Sequence, residues 1–273
     1  MFDLNTLILA IIAGGAGTII GGTQTFIITG FVGIIVYILQ AAGVNVTFLN
    51  DVVLNVFFLP CIIFNGAGFA TAYASKKYPI RGTETYKSLA FTNDPLVILC
   101  GCFAGLAGYL IYAMANYFGL PMDTGSLSVF LVGILGRILF SNKKYYNQNN
   151  LRRLKHPDWY ALSYQLLLAL MVSTAMAYFA KETGLYTIGF SVSALSLIFS
   201  FTDSAFPATH HITLVTGYAV MQTGNITLGI LFGVISQIIF FLFAAIFNTD
   251  CDTHIDPPAV AIGICSLILF TMF

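Results

Sequence analysis

Charge is what this chain has least of. Only 8% of its 273 residues are Asp, Glu, Lys or Arg, against about 25% in a soluble domain. With 58% of the residues hydrophobic, the chain cannot cover a globular surface with polar groups. That excludes a cytosolic enzyme, a disordered chain and a nucleic-acid binder. Other absences narrow the reading further. No GxxxxGK[ST] loop is present and no soluble domain is large enough to hold one, so no nucleotide partner is expected. No nucleophile–base pair or HExxH-type motif is present, so no catalytic residue, enzyme activity or cofactor is expected. Cys61, Cys100, Cys102, Cys251 and Cys265 form no disulfide framework. Four of them lie in apolar runs and read as small core residues, and Cys100-x-Cys102 is not a metal spacing. Met1-Phe2-Asp3 lacks the basic opening of a secretory signal, so the first apolar segment is expected to stay in the mature protein.

What is present is a succession of long apolar runs with short polar breaks. This pattern predicts membrane-spanning helices rather than a transmembrane barrel, with the lipid bilayer as the principal partner. Ten segments can be marked, at about 5–22, 24–42, 52–75, 95–118, 124–140, 159–180, 187–201, 208–223, 227–247 and 257–273, with boundaries good to a few residues. Several fall short of the roughly 20 residues of a clean span. The expected fold is therefore all-α: a polytopic membrane protein of about ten transmembrane or partly re-entrant helices.

The few charges are placed unevenly. Lys76, Lys77, Arg81 and Lys87 lie between the third and fourth segments. Arg137, Lys143, Lys144, Arg152, Arg153 and Lys155 lie at or after the end of the fifth. Only Lys181 of the eleven Lys and Arg lies elsewhere. The positive-inside rule makes both loops cytoplasmic and the N-terminus external, in a membrane expected to be the bacterial inner membrane. The polar stretch 141–158 then reads as a basic cytoplasmic linker between five-helix halves, 1–140 and 159–273. Because five is odd, the halves would have inverted topology. Sequence echoes agree: Leu59-Pro60 with Phe206-Pro207, Gly101 and Gly105 with Gly229 and Gly233, and Met122-Asp123 with Ile255-Asp256. A 5+5 inverted repeat is a transporter signature, with the site near the midplane at helix breaks.

Polar residues at such breaks are the candidate solute or ion pathway: Asn65, Asp94, His210, His211, His254 and Asp256. Ionisable groups at membrane depth face a bundle interior or a water-filled cavity. Asp94 and Asp256 each precede proline and read as helix N-caps. Adjacent helix positions diverge by about 100°, so His210 and His211 do not easily share one small site. His210, Asp252, His254 and Asp256 carry donor types that suit Zn, Fe or Mn, but their spacing matches no strong metal motif.

The last quarter of the chain resembles the HPP family of small integral membrane proteins. The resemblance rests on Phe206-Pro207-Ala208-Thr209-His210-His211, then Thr216-Gly217-Tyr218, an apolar helix, and Asp256-Pro257-Pro258-Ala259. Asp256 stands where that family has a histidine, with His254 two places earlier, and Tyr218 stands where its Gly-His helix has another. Nitrite transport by some members implies a small-solute permease. The residues themselves point to a secondary transporter for a small polar solute or ion, expected to be a homo-oligomer. Three other readings stay open: a solute or ion channel, an intramembrane metal-dependent enzyme, and a subunit of a larger membrane complex.

Overall fold

A computed structural model describes residues 3–143 and 158–273. Most of the expected linker 141–158 lies outside the described residues. The described residues form ten α-helices: α1 (Leu4–Ile20), α2 (Gly22–Ala41), α3 (Pro60–Ala74), α4 (Pro95–Tyr117), α5 (Thr124–Phe140), α6 (Trp159–Thr183), α7 (Ile188–Ser196), α8 (His210–Thr223), α9 (Ile226–Phe247) and α10 (Pro257–Met272). A π-helical stretch, Leu49–Phe57, precedes α3, and a 3₁₀ turn, Leu197–Phe201, extends α7. No strand is formed among the described residues; the one β contact is an isolated bridge between Gly82 and Thr253.

Local chemistry sets the helix ends. Asp3, Asp94, Asp123, Asp158, Asn225 and Asp256 each cap a helix by accepting from an N–H of its first turn. This satisfies donors that have no partner inside the helix. Proline opens α3, α4 and α10, where its missing N–H removes no helix bond. Gly184 and Gly224 close α6 and α8 in the left-handed conformation that glycine adopts without a Cβ clash. Between α1 and α2 the break is a single residue, Gly21, at φ 96°. The loop after α3 folds back onto this break, and the Gly22 N–H donates to Thr85 O at 2.7 Å.

The first five helices and the last five pack by the same scheme. In the first set α1 lies on α3 and α4, α3 on α5, α4 on α5, and α2 on α3. In the second, α6 lies on α8 and α9, α8 on α10, α9 on α10, and α7 on α8. The close contacts correspond as well. A Cβ on Gly101 would strike the Thr18 side chain, and one on Gly105 would lie 2.6 Å from Gly14 Cα. One on Gly229 would lie 3.2 Å from Ala177 Cβ, and one on Gly233 2.5 Å from Ser173 Cβ. Small residues let the backbones approach, as expected where packing must replace the hydrophobic effect.

The two sets meet through α2 with α7 and α5 with α10, and both pairs run antiparallel. Gly30 faces Ala194, Gly33 faces Ser191 and Tyr37 bonds Thr187. Along the other pair the Asp123 N–H donates to Ser266 Oγ at 2.8 Å, Ser126 faces Gly263, and Gly133 faces Ile255. The register of the helix starts departs from one sequence echo. Pro60 is the first residue of α3, whereas Pro207 lies three residues before α8, which begins at His210. Pro60 therefore opens a helix and Pro207 does not.

Candidate functional site

A cavity of about 510 Å³ lies between the two sets of helices. Its wall comes from α2, the π-helical stretch, the start of α3, the start of α5, α7, α8 and α10, with Tyr112 from α4. The starts of α3, α5, α8 and α10 all reach it, through Pro60 and Cys61, Thr124, His210, and Asp256. A second cavity of about 20 Å³ adjoins it, also walled by Phe64 and Asp256, and includes Asn65 and His254.

Two carboxylates line the main cavity, and each is the cap of a helix. Asp123 Oδ1 accepts from the Ser126 N–H at 2.6 Å. Asp256 Oδ2 accepts from the Ala259 N–H at 2.9 Å. The capping bond fixes one oxygen of each and turns the other outward. The outward oxygen of Asp123 accepts from Tyr218 Oη at 2.6 Å, a bond that joins α5 to α8 across the seam. The outward oxygen of Asp256 lies 3.3 Å from His254 Nε2, inside its own half. Gly133, ten residues after Asp123, faces the residue before Asp256. At 1.5 Å per helical residue the carboxylates are therefore about 15 Å apart along α5.

The segment that carries His254 and Asp256 is held by a buried arginine. Arg137, in the last turn of α5, is 2% exposed. Its guanidinium donates to Phe247 O at 2.7 Å, Asn248 Oδ1 at 3.0 Å, Thr253 O at 2.6 Å and Thr253 Oγ1 at 3.1 Å. A planar fork of donors suits this divergent set of acceptors, where a lysine would not.

The residues expected in the pathway separate into two groups. His210 and Asp256 line the main cavity, and Asn65, His254 and Asp256 line the small one. Asn65 is buried and donates to Cys61 O at 2.7 Å. Asp94 is elsewhere. It caps α4 through the Leu96 N–H at 2.8 Å and faces Tyr78 Oη at 3.0 Å and Lys77 Nζ at 3.5 Å. The Leu96 N–H first, then Tyr78 and Lys77, hold its carboxyl below the ordinary range. His211 also leaves the site: one turn position past His210, it stacks on Phe240 at 4.5 Å and bonds Gln237 Oε1 at 2.8 Å. Gln237 donates in turn to Gln165 at 3.1 Å, so this chain ties α8, α9 and α6 together. Asp252 is not with the other proposed metal donors, because Ser141 Oγ and the Asn142 N–H hold its carboxylate. Among the described residues, no three His, Cys, Asp or Glu side chains converge to hold a metal ion.

Asp123, Tyr218 and Arg137 are site residues that sequence reasoning passed over. The signal for Asp123 was present: Met122-Asp123 echoes Ile255-Asp256. That echo already makes Asp123 the counterpart of Asp256, although the site expected from sequence sets Asp94 beside Asp256 instead.

Comparison with known proteins returns one family, described as a family of unknown function (DUF7973), which matches residues 1–151 and again residues 142–272. The chain belongs to this family. No curated protein and no solved structure matches it.

Proposed function

We propose that this DUF7973 member is a multi-pass membrane permease, a secondary transporter of a small polar solute or ion, built as a 5+5 inverted repeat. Membrane residence is supported by composition and by surface. Five helical stretches are long and apolar enough to cross a bilayer, and four shorter apolar helices accompany them. Large apolar side chains stand outward along their faces, among them Ile12, Leu99, Phe103, Leu167, Met171 and Leu231. A soluble monomer rarely exposes contiguous apolar area on this scale.

The repeat is supported by the tandem match of one family to both halves and by the corresponding helix packing. Its inverted sense is supported by the two seam contacts. A helix that packs antiparallel on its own counterpart is related to it by a dyad perpendicular to both. For helices that span the bilayer, that dyad lies in the membrane plane.

The observation that carries the transport reading is the cavity where helix breaks of both halves meet around Asp123 and Asp256. Irregular backbone at membrane depth is tolerated inside protein or beside a water-filled space. Alternating exposure then follows from rocking one half against the other at the α2–α7 and α5–α10 seams. The resemblance to the HPP family points to the same class. With the loops at 76–94 and 141–158 cytoplasmic, the N-terminus is external. A cysteine introduced at position 148 should resist an impermeant reagent added outside intact cells, and its labelling would reverse the assignment. Transport itself is tested with purified protein in proteoliposomes on a solid-supported membrane. Solute jumps should give saturable transient currents that disappear in Asp256→Asn, a change that keeps the helix cap. Currents that grow without saturation would instead identify a channel.

A further inference from the structure

Resting on the permease reading, we propose that the cavity binds a protonated amine with an apolar body, and does not bind an anion. Four hydroxyls of the cavity lining have committed their protons to protein acceptors. Thr29 donates to Phe58 O at 2.8 Å, Thr124 to Asn116 Oδ1 at 3.0 Å, Ser126 to Asp123 O at 2.8 Å, and Tyr218 to Asp123 Oδ2 at 2.6 Å. What these groups still offer a ligand is lone pairs. A carboxylate has about four acceptor sites. Asp123 and Asp256 each have two bonds to the groups already named, so both retain acceptor capacity toward the cavity.

Charge points the same way. Among the described residues that line the cavity there is no lysine or arginine. The helix N-termini of α5 and α10 carry about half a positive charge each, but each is met by a full carboxylate. The α3 N-terminus stands directly after the C-terminal end of the π-helical stretch, whose opposite partial charge offsets it. The α8 N-terminus has no side-chain cap, and its partial positive charge of about one half is smaller than the charge of the two carboxylates. An anion entering this space would meet two carboxylates and no cationic side chain. An ammonium group would meet carboxylate and hydroxyl oxygens with lone pairs to spare.

The wall also includes a buried imidazole. His210 lines the cavity and is 6% exposed, yet its Nδ1 has no hydrogen-bond partner. The imidazole therefore stands at the wall with a ring nitrogen that no protein group satisfies. The rest of the lining suits an apolar body. Phe26, Phe64, Phe190, Tyr112 and Tyr218 present rings to the cavity, and aromatic faces attract cations as well as hydrocarbon. The volume lies within the range of small-molecule sites.

Three probes of matched shape separate the possibilities: 2-phenylethylammonium, 3-phenylpropionate and 2-phenylethanol. Their binding to the intact protein in nanodiscs is read by thermal stabilisation. The expected order has the ammonium tightest by about tenfold or more, with that advantage lost in Asp123→Asn. The wild-type ranking alone decides if the variant fails to fold. Equal or tighter binding of the carboxylate or the alcohol overturns the proposal. So does the absence of binding by all three up to about 10 mM in folded protein. Flux of the same probes into sealed vesicles is read separately. A carboxylate that binds and crosses overturns the amine assignment and leaves the permease reading standing. An ammonium that binds and never crosses supports the assignment and overturns the permease reading.

Discussion

Replacing Arg137 tests how the cavity's second carboxylate is held in place. Arg137 is 2% exposed, and its guanidinium makes at least four hydrogen bonds to the turn at 247–253. That turn leads directly into His254 and Asp256. Hydrogen bonds from a charged donor are worth about 1.5–3 kcal/mol each, so the four sum to about 6–12 kcal/mol gross. Burying the guanidinium costs several kcal/mol, offset in part by its place in the last turn of α5, where the helix dipole favours positive charge. Arg137→Met keeps most of the apolar volume and removes both quantities. It also leaves Phe247 O, Thr253 O and Asn248 Oδ1 without their buried donor. The expected net loss is about 3 kcal/mol, a fall of roughly 6–12 °C in unfolding temperature. Arg137→Lys keeps the charge but has one nitrogen where the fork has three, and should lose about half as much. The distinguishing readout is local. Cys251 sits within the clamped turn, and its alkylation by N-ethylmaleimide, followed by mass spectrometry, should accelerate in Arg137→Met below the unfolding temperature. Unchanged stability and an unchanged alkylation rate in Arg137→Met would refute this reasoning.

Three further outcomes are expected. Gly14→Ala should destabilise by about 1–3 kcal/mol, because its Cβ would lie 2.7 Å from Gly105 Cα and closer still to Gly101 O; Gly68→Ala, whose nearest neighbour would be 3.9 Å away, should be tolerated, and equal melting of the two variants would refute the close approach of α1 to α4. Tyr218→Phe removes the hydrogen bond that the Tyr218 hydroxyl donates from α8 to Asp123 and should raise hydrogen exchange at the start of α5 with the fold retained; unchanged exchange there would show that the bond does not hold the seam. The Glu84 carboxyl, held first by the Arg81 N–H at 2.9 Å and then by Lys87 and Tyr86, is lowered from 4.5 to about 2. Because the folded value is the lower one, its contribution to loop order is full above pH ~4.5 and declines as the pH falls toward about 2; a carboxyl titration by NMR with its midpoint near 4.5 would contradict this.

Most helices were legible in the residues alone, although the segment expected at 52–75 is broken at Phe58–Leu59 between the π-helical stretch and α3. Low charge and long apolar runs fix helix as the form in which backbone groups bond within each segment. Aspartate or asparagine before α4, α5, α6, α9 and α10, with proline opening α3, α4 and α10, marks where helices start. The segments read at 124–140 and 95–118 match α5 and α4 to within a residue, because caps and prolines act over three or four residues of chain. Which capping aspartates face a common space was not legible in that way. Asp94 and Asp123 have the same local signature, a carboxylate accepting from the first turn of an apolar helix. Only packing sends the first to Lys77 and Tyr78 and the second to Tyr218, 95 residues away. The same holds for His210 and His211, adjacent in sequence yet divided between a cavity wall and a helix interface by a rotation of about 100°. Arg137 counted in sequence as one more charge near a loop. Its burial depends on the turn at 247–253 folding over α5 from the far end of the chain, a contact between segments more than a hundred residues apart that no local pattern encodes.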